Sequence, residues 1–167
     1  MPAKVFHFRA AMEVPASPSL VFEYLTNAET YPQWWGTVIR KAQPMGDVPG
    51  ALPGSGCVME VDGLLPVLLR LENTIVSIIP DRELIFDISG DLSGRGRWLV
   101  EKKGHSCLVT FEWRIVPERK LLRILSPIFR PLFRMHHKYC LKKAGEGLKK
   151  EIVRKLNRLP VSSIPIF

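Results

Sequence analysis

From Val5 to Met12 the chain alternates, with Phe6, Phe8, Ala10 and Met12 on one side and Val5, His7 and Arg9 on the other. A period of two with one apolar face predicts a half-buried strand over residues 4–14. Pro15-Ala16-Ser17-Pro18 ends it, and Ser17 followed by Pro18 suits a helix N-cap with proline at the first helical position. Leu20, Val21, Tyr24 and Leu25 then recur at helical spacing, so residues 18–27 are expected to form a short amphipathic helix, with a second short helical piece over 27–35. A strand is expected at 38–42. Residues 44–56 hold Pro44, Pro49 and Pro53 with Gly46, Gly50, Gly54 and Gly56, the composition of a loop. Further strands are expected at 57–62, 66–79, 83–90, 94–103 and 106–117. Gly63, Pro80-Asp81, Gly90-Asp91 and Lys103-Gly104-His105 break them, and such spacing predicts an antiparallel meander.

The period changes beyond residue 118. Leu121–Leu125 reads as a separate helical turn, and Pro127 and Pro131 are tolerable only near the start of a helix running over about 128–157. In that helix Phe133, His137, Cys140, Leu141, Ala144, Leu148 and Ile152 share one side. Strands followed by a long amphipathic helix predict an α+β fold in which a curved antiparallel sheet of six or seven strands packs around that helix. Large side chains must fill the space between them, or a cavity remains, and its expected place is beside His137 and Ala144. Residues 1–159 are expected to form a single domain and residues 160–167 a C-terminal tail.

Charge follows the same division. Residues 1–118 carry 11 Lys+Arg against 14 Asp+Glu, whereas residues 119–167 carry 13 against 2, so the net +8 belongs to the C-terminal segment. Between Arg119 and Arg134 basic residues alternate with large apolar ones such as Leu121, Ile124, Ile128 and Phe133, which suits contact with an anionic membrane surface. Charge would also permit nucleic acid, but no recognition motif accompanies it. Cys57, Cys107 and Cys140 are odd in number and widely spaced, which argues against a disulfide framework or a zinc site and favours small buried side chains. The opening Met-Pro-Ala-Lys-Val-Phe-His has no apolar run of signal-peptide length, and no stretch reaches the roughly 18 apolar residues of a membrane span. A cytoplasmic protein is the expectation.

Several local sequences, in their order, resemble the START-related helix-grip superfamily, and within it the polyketide cyclase/dehydrase-like (SRPBCC) group. They are Val14-Pro-Ala-Ser-Pro-Ser-Leu-Val-Phe-Glu-Tyr-Leu, Tyr31-Pro-Gln-Trp-Trp, Ile79-Pro-Asp-Arg-Glu-Leu-Ile-Phe, Gly94-Arg-Gly-Arg-Trp, Met135-His-His-Lys-Tyr and Gly145-Glu-Gly-Leu-Lys. The likeness spans residues 5–155. It implies a helix-grip fold and a cavity for hydrophobic or amphipathic molecules such as lipids, sterols or polyketides. The superfamily holds binding proteins, transfer proteins and cyclases, and no shared catalytic motif transfers to this chain.

The candidate site is drawn from the residues themselves. Phe133, Leu141 and Leu148 are assigned to a helix wall, Trp35 and Trp113 to an aromatic wall, and His137, mid-stripe, to a polar contact. His137 is also the candidate acid/base if the protein is a cyclase/dehydrase-like enzyme. Arg70 and Glu72, Arg95 and Arg97, and Glu112 and Arg114 are expected on the solvated face of the sheet. There is no Ser-His-Asp or Cys-His nucleophile pattern, no Walker or dinucleotide fingerprint, and no histidine pair at metal-binding spacing, so no cofactor or metal is expected. Binding of a hydrophobic small molecule is favoured over catalysis.

Overall fold

The computed structural model describes residues 5–47, 50–62, 67–125, 128 and 130–158. The expected tail at 160–167 lies outside them. Strand β1 (Phe6–Val14) is followed by α1 (Pro18–Thr26), a 3-10 turn (Ala28–Thr30) and α2 (Tyr31–Trp34). Strands β2 (Ile39–Met45), β3 (Gly56–Val61), β4 (Leu69–Ile79), β5 (Glu83–Gly90), β6 (Leu92–Lys103) and β7 (Ser106–Pro117) come next, then α3 (Lys120–Leu125) and α4 (Arg130–Arg158). The strands form one antiparallel sheet in the order β1-β7-β6-β5-β4-β3-β2. This is the helix-grip arrangement, with seven strands and the short helices after the first.

Local chemistry accounts for the elements. Along β1 buried or half-buried positions alternate with exposed ones, as period two requires. The Ser17 side chain accepts the Leu20 N–H and caps α1, with Pro18 opening it. Strand β2 runs three residues beyond its expected end and includes Pro44, which pairs with Cys57. It is an edge strand, where a residue without an N–H can be accommodated.

The helix stripe faces the sheet as its spacing requires. His137, Cys140, Leu141, Ala144, Leu148 and Ile152 are buried, and α4 packs on β1, α1 and α2. The solvated face of the sheet carries the charges. Arg9 meets Glu112 at 3.1 Å, Arg95 meets Asp87 at 2.7 Å, and Arg97 lies 2.5 Å from Glu83 and 3.7 Å from Glu112. Exposed pairs of this kind contribute about 0–1 kcal/mol each. All three cysteines are buried and unpaired. Among the described residues no helix is long and apolar enough to cross a membrane.

Candidate functional site

Between the concave face of the sheet and the first half of α4 lies a cavity of about 740 Å³. From α4 it is lined by Phe133, His136, His137, Cys140 and Leu141, from the sheet by inward residues such as Met59, Leu71, Phe86 and Phe111, and from the region of α2 by Tyr31 and Trp35. Its exposed members cluster at residues 23–29 and 44–50, which places the mouth between the end of α1 and the β2–β3 loop.

The cavity stops midway along α4, because the second half of the helix is seated directly on its neighbours. A Cβ at Gly147 would fall 1.5 Å from the Trp34 carbonyl oxygen, and one at Gly145 would fall 2.9 Å from the Met12 sulfur. Bare glycine backbone therefore permits a contact that any side chain at 147 would prevent. Ala144, Leu148 and Ile152 are each 0% exposed. Leu148 and Ala144, expected beside the ligand space, are thus core residues outside the cavity lining. Periodicity placed them on the correct side of the helix, but the close approach at the glycines removes the space in front of them.

The other assigned residues all border the cavity. Trp35 closes one wall, and its indole N–H donates to the Cys140 carbonyl at 2.8 Å, tying the end of α2 to α4. Phe133 packs 5.5 Å from the Phe6 ring, and Leu141 lies further along the same wall. Trp113 and His137 form a unit in which the indole N–H donates to Nδ1 of the histidine at 3.1 Å. An indole can only donate, so Nδ1 must be the acceptor and the ring proton sits on Nε2. That Nε2 is buried without a hydrogen-bond partner among the described residues.

Burial, and then the neighbouring His136, push the pKa of His137 down to about 4. At neutral pH its ring is therefore uncharged, with one nitrogen occupied and the other a fixed donor. This character differs from the acid/base role considered for it, since a general base needs a free lone pair and a pKa near the working pH. Burial also lowers the pKa of His136, whose Nε2 lies 3.4 Å from the Cys140 sulfur. The Cys57 and Cys140 thiols are raised by burial to about 11 and about 12, so both stay protonated. The Tyr31 phenol, raised by burial, donates to the Leu25 carbonyl at 2.6 Å. The lining therefore offers shape, apolar surface and a few oriented dipoles, without an activated nucleophile among the described residues. Nor do those residues include a group of three metal-ligating side chains.

The lining also includes Asn73, Tyr31 and His136, none of them assigned from sequence. Asn73 stands between Leu71 and Ile75 on the inward face of β4, and its Oδ1 has no partner among the described residues. Continuing the period-two alternation from Leu69 would have shown this polar residue among apolar ones. Tyr31 lies in the Tyr-Pro-Gln-Trp-Trp run already noted, and His136 lines the same cavity as His137.

Residues 5–157 match the family model described as polyketide cyclase/dehydrase and lipid transport. The chain belongs to this family. No curated protein matches its sequence. Solved structures resemble this family member over nearly their whole length. One is the Zhui aromatase/cyclase from Streptomyces sp. R1128, at 12% identity over 96% of this chain and 99% of that one, with a TM-score of 0.73. Another is a START superfamily protein from Mycobacterium smegmatis, at 14% identity over 89% and 98%, with a TM-score of 0.70. A third is norcoclaurine synthase from Thalictrum flavum in complex with dopamine and hydroxybenzaldehyde, at 14% identity over 91% and 88%, with a TM-score of 0.60. At these identities the likeness establishes the shared fold of the cyclase/dehydrase and lipid transport family and nothing finer.

Proposed function

We propose that this protein binds a hydrophobic or amphipathic small molecule in the cavity between its sheet and the first half of α4. The observation that carries the reading is the cavity itself, about 740 Å³ with predominantly apolar walls and few polar groups. Spaces of that size and lining suit ligands of drug or metabolite dimensions. Phe133 and Leu141 form the helix wall, Trp35 and Trp113 the aromatic wall, and His137 the polar contact. The family's description, which pairs cyclases with lipid transport, agrees with such a ligand. A cyclase-like activity would require His137 to carry protons, a role poorly served by a neutral ring locked by Trp113. Binding is therefore the reading adopted. Three unpaired cysteines suit a reducing compartment, and the cytoplasm is the proposed location.

A second reading rests on the surface near α3 and the start of α4. Ile124, Ile128 and Met135 are 72%, 73% and 54% exposed, and Met135 shares a shallow surface groove with Arg130, Arg134 and Lys138. Such interleaving suits peripheral contact with an anionic membrane, from which a lipid-like ligand could be taken up.

Native mass spectrometry of protein purified from its host tests the main reading, together with titration of the fluorescent apolar probe N-phenyl-1-naphthylamine. A solvent-extractable adduct or saturable probe binding is expected, and Leu141→Trp, which fills cavity space, should weaken it. Absence of both adduct and probe binding in folded protein would overturn the proposal.

A further inference from the structure

The polarity of the cavity indicates which class of ligand it takes, an inference that rests on the binding role proposed above. Among the described residues the lining includes the carboxylates Glu23, Glu29 and Asp47 and no lysine or arginine. All three acids are exposed and lie at the mouth. The chain's positive charge is placed elsewhere, so a net of +8 says nothing about the cavity. An anionic head group would pass carboxylates on entry and meet no lysine or arginine among the described lining residues, and burying an unpaired anion is strongly unfavourable.

Inside, two buried side-chain atoms lack a partner among the described residues, and that of His137 needs an acceptor. Trp113 occupies Nδ1 of His137, which fixes the proton on Nε2, and Nε2 is buried without a partner among the described residues. The residue is 6% exposed and borders the cavity. Rings of Phe8 and Phe111 stand 4.5 and 6.2 Å from the imidazole, and Nε2 itself is buried, so a ligand oxygen must displace neighbouring side chains to reach it. A buried N–H without an acceptor is unfavourable, and a ligand that supplies one removes that cost. Across the sheet, Asn73 on β4 provides a second unsatisfied polar point with its Oδ1.

We propose that the cavity selects an uncharged, mostly apolar ligand whose carbonyl or ether oxygen accepts the Nε2–H of His137, and that it discriminates against carboxylates and phosphates of similar shape.

Three naphthalenes of one outline test this by fluorescence titration at pH 7.5. They are 6-propionyl-2-(dimethylamino)naphthalene, its 6-propyl analogue lacking the ketone, and 6-(dimethylamino)-2-naphthoic acid. The ketone should bind at least as tightly as the more hydrophobic propyl compound, and about tenfold or more tightly than the acid. In His137→Phe the ratio of ketone to propyl affinity should fall about tenfold, the scale of one buried hydrogen bond. His137→Gln, which keeps an N–H near the position of Nε2, should restore part of that ratio. If the ratio is the same in wild type and His137→Phe, or the acid binds best, the inference is wrong while the binding role stands. If none of the three binds folded wild-type protein, both fall.

Discussion

Gly147→Ala adds a single methyl group, and at an open helix position that change stabilises by about 1 kcal/mol because alanine is the better helix former. Here the opposite sign is expected. The new Cβ would lie 1.5 Å from the Trp34 carbonyl oxygen and 2.7 Å from its carbonyl carbon. A close carbon–oxygen contact needs about 3.3 Å, so α4 would have to retreat by about 2 Å at this crossing. Overpacking of a close-packed site costs about 1–3 kcal/mol. Retreat would also loosen Leu148 and Ile152, both 0% exposed, each contributing about 1.5–3 kcal/mol when fully buried. Partial loss of that burial, less the gain in helix propensity, leaves a net destabilisation of about 2–4 kcal/mol. Gly145→Ala is the matched control. The nearest atoms to its Cβ would be those of the Met12 side chain, with only the sulfur closer than ordinary contact, at 2.9 Å, on a flexible side chain that can turn aside. Its net effect should stay within about 1 kcal/mol of zero. Urea unfolding of the two variants, with midpoint and slope both fitted, measures the difference. If Gly147→Ala proved as stable as wild type, or the two variants shifted equally, the seating of α4 argued from these glycines would be refuted.

Three further outcomes are expected. The pKa of His137 in the folded protein, about 4, lies below its ordinary value of 6.5, so its contribution is complete above pH 6.5 and is lost as pH falls toward 4. About 2 kcal/mol should disappear between pH 7 and pH 5, and denaturant titrations should show the drop shrinking in His137→Gln; an equal drop in both proteins would contradict it. Leu148→Ala should cost about 2–5 kcal/mol while leaving probe affinity unchanged, whereas Leu141→Ala should cost less, because its side chain already borders open space. Finally, co-sedimentation with liposomes should require anionic lipid, weaken with salt and fall when Ile124, Ile128 and Met135 are changed to serine in folded protein; no sedimentation at low salt would remove the membrane reading.

The fold was legible because its signals are local. Alternation in β1, the proline and glycine breaks of the meander and the stripe of α4 each specify an element without reference to the rest of the chain. Pro44 misled because a proline reads as loop until its strand is known to lie at a sheet edge. The candidate site was legible only in direction. Helical spacing says that Leu141 and Leu148 face the sheet, but not how far away the sheet is. That depends on how α4 is seated, and Gly147, which sets the helix against Trp34 of α2, looks in sequence merely like a poor helix former. His137 was recognisable as a polar residue in an apolar stripe. Its tautomer, and hence its character as a donor, depends on Trp113 in a strand 24 residues away, a relation that no local pattern encodes. Asn73 was legible in principle and missed, since its alternation was not followed inward.

The division of α4 into a seated half and an open half has an evolutionary consequence. Substitutions at 144, 148 or 152 strike the packing on which the whole chain depends, so selection for stability alone restrains them. Phe133, His137 and Leu141 border space, so under the proposed binding role changes there reshape the ligand's surroundings at a smaller penalty to folding. Preference for one molecule over another can therefore wander by single substitutions while the scaffold persists, and a lineage could inherit the grip and exchange what it holds.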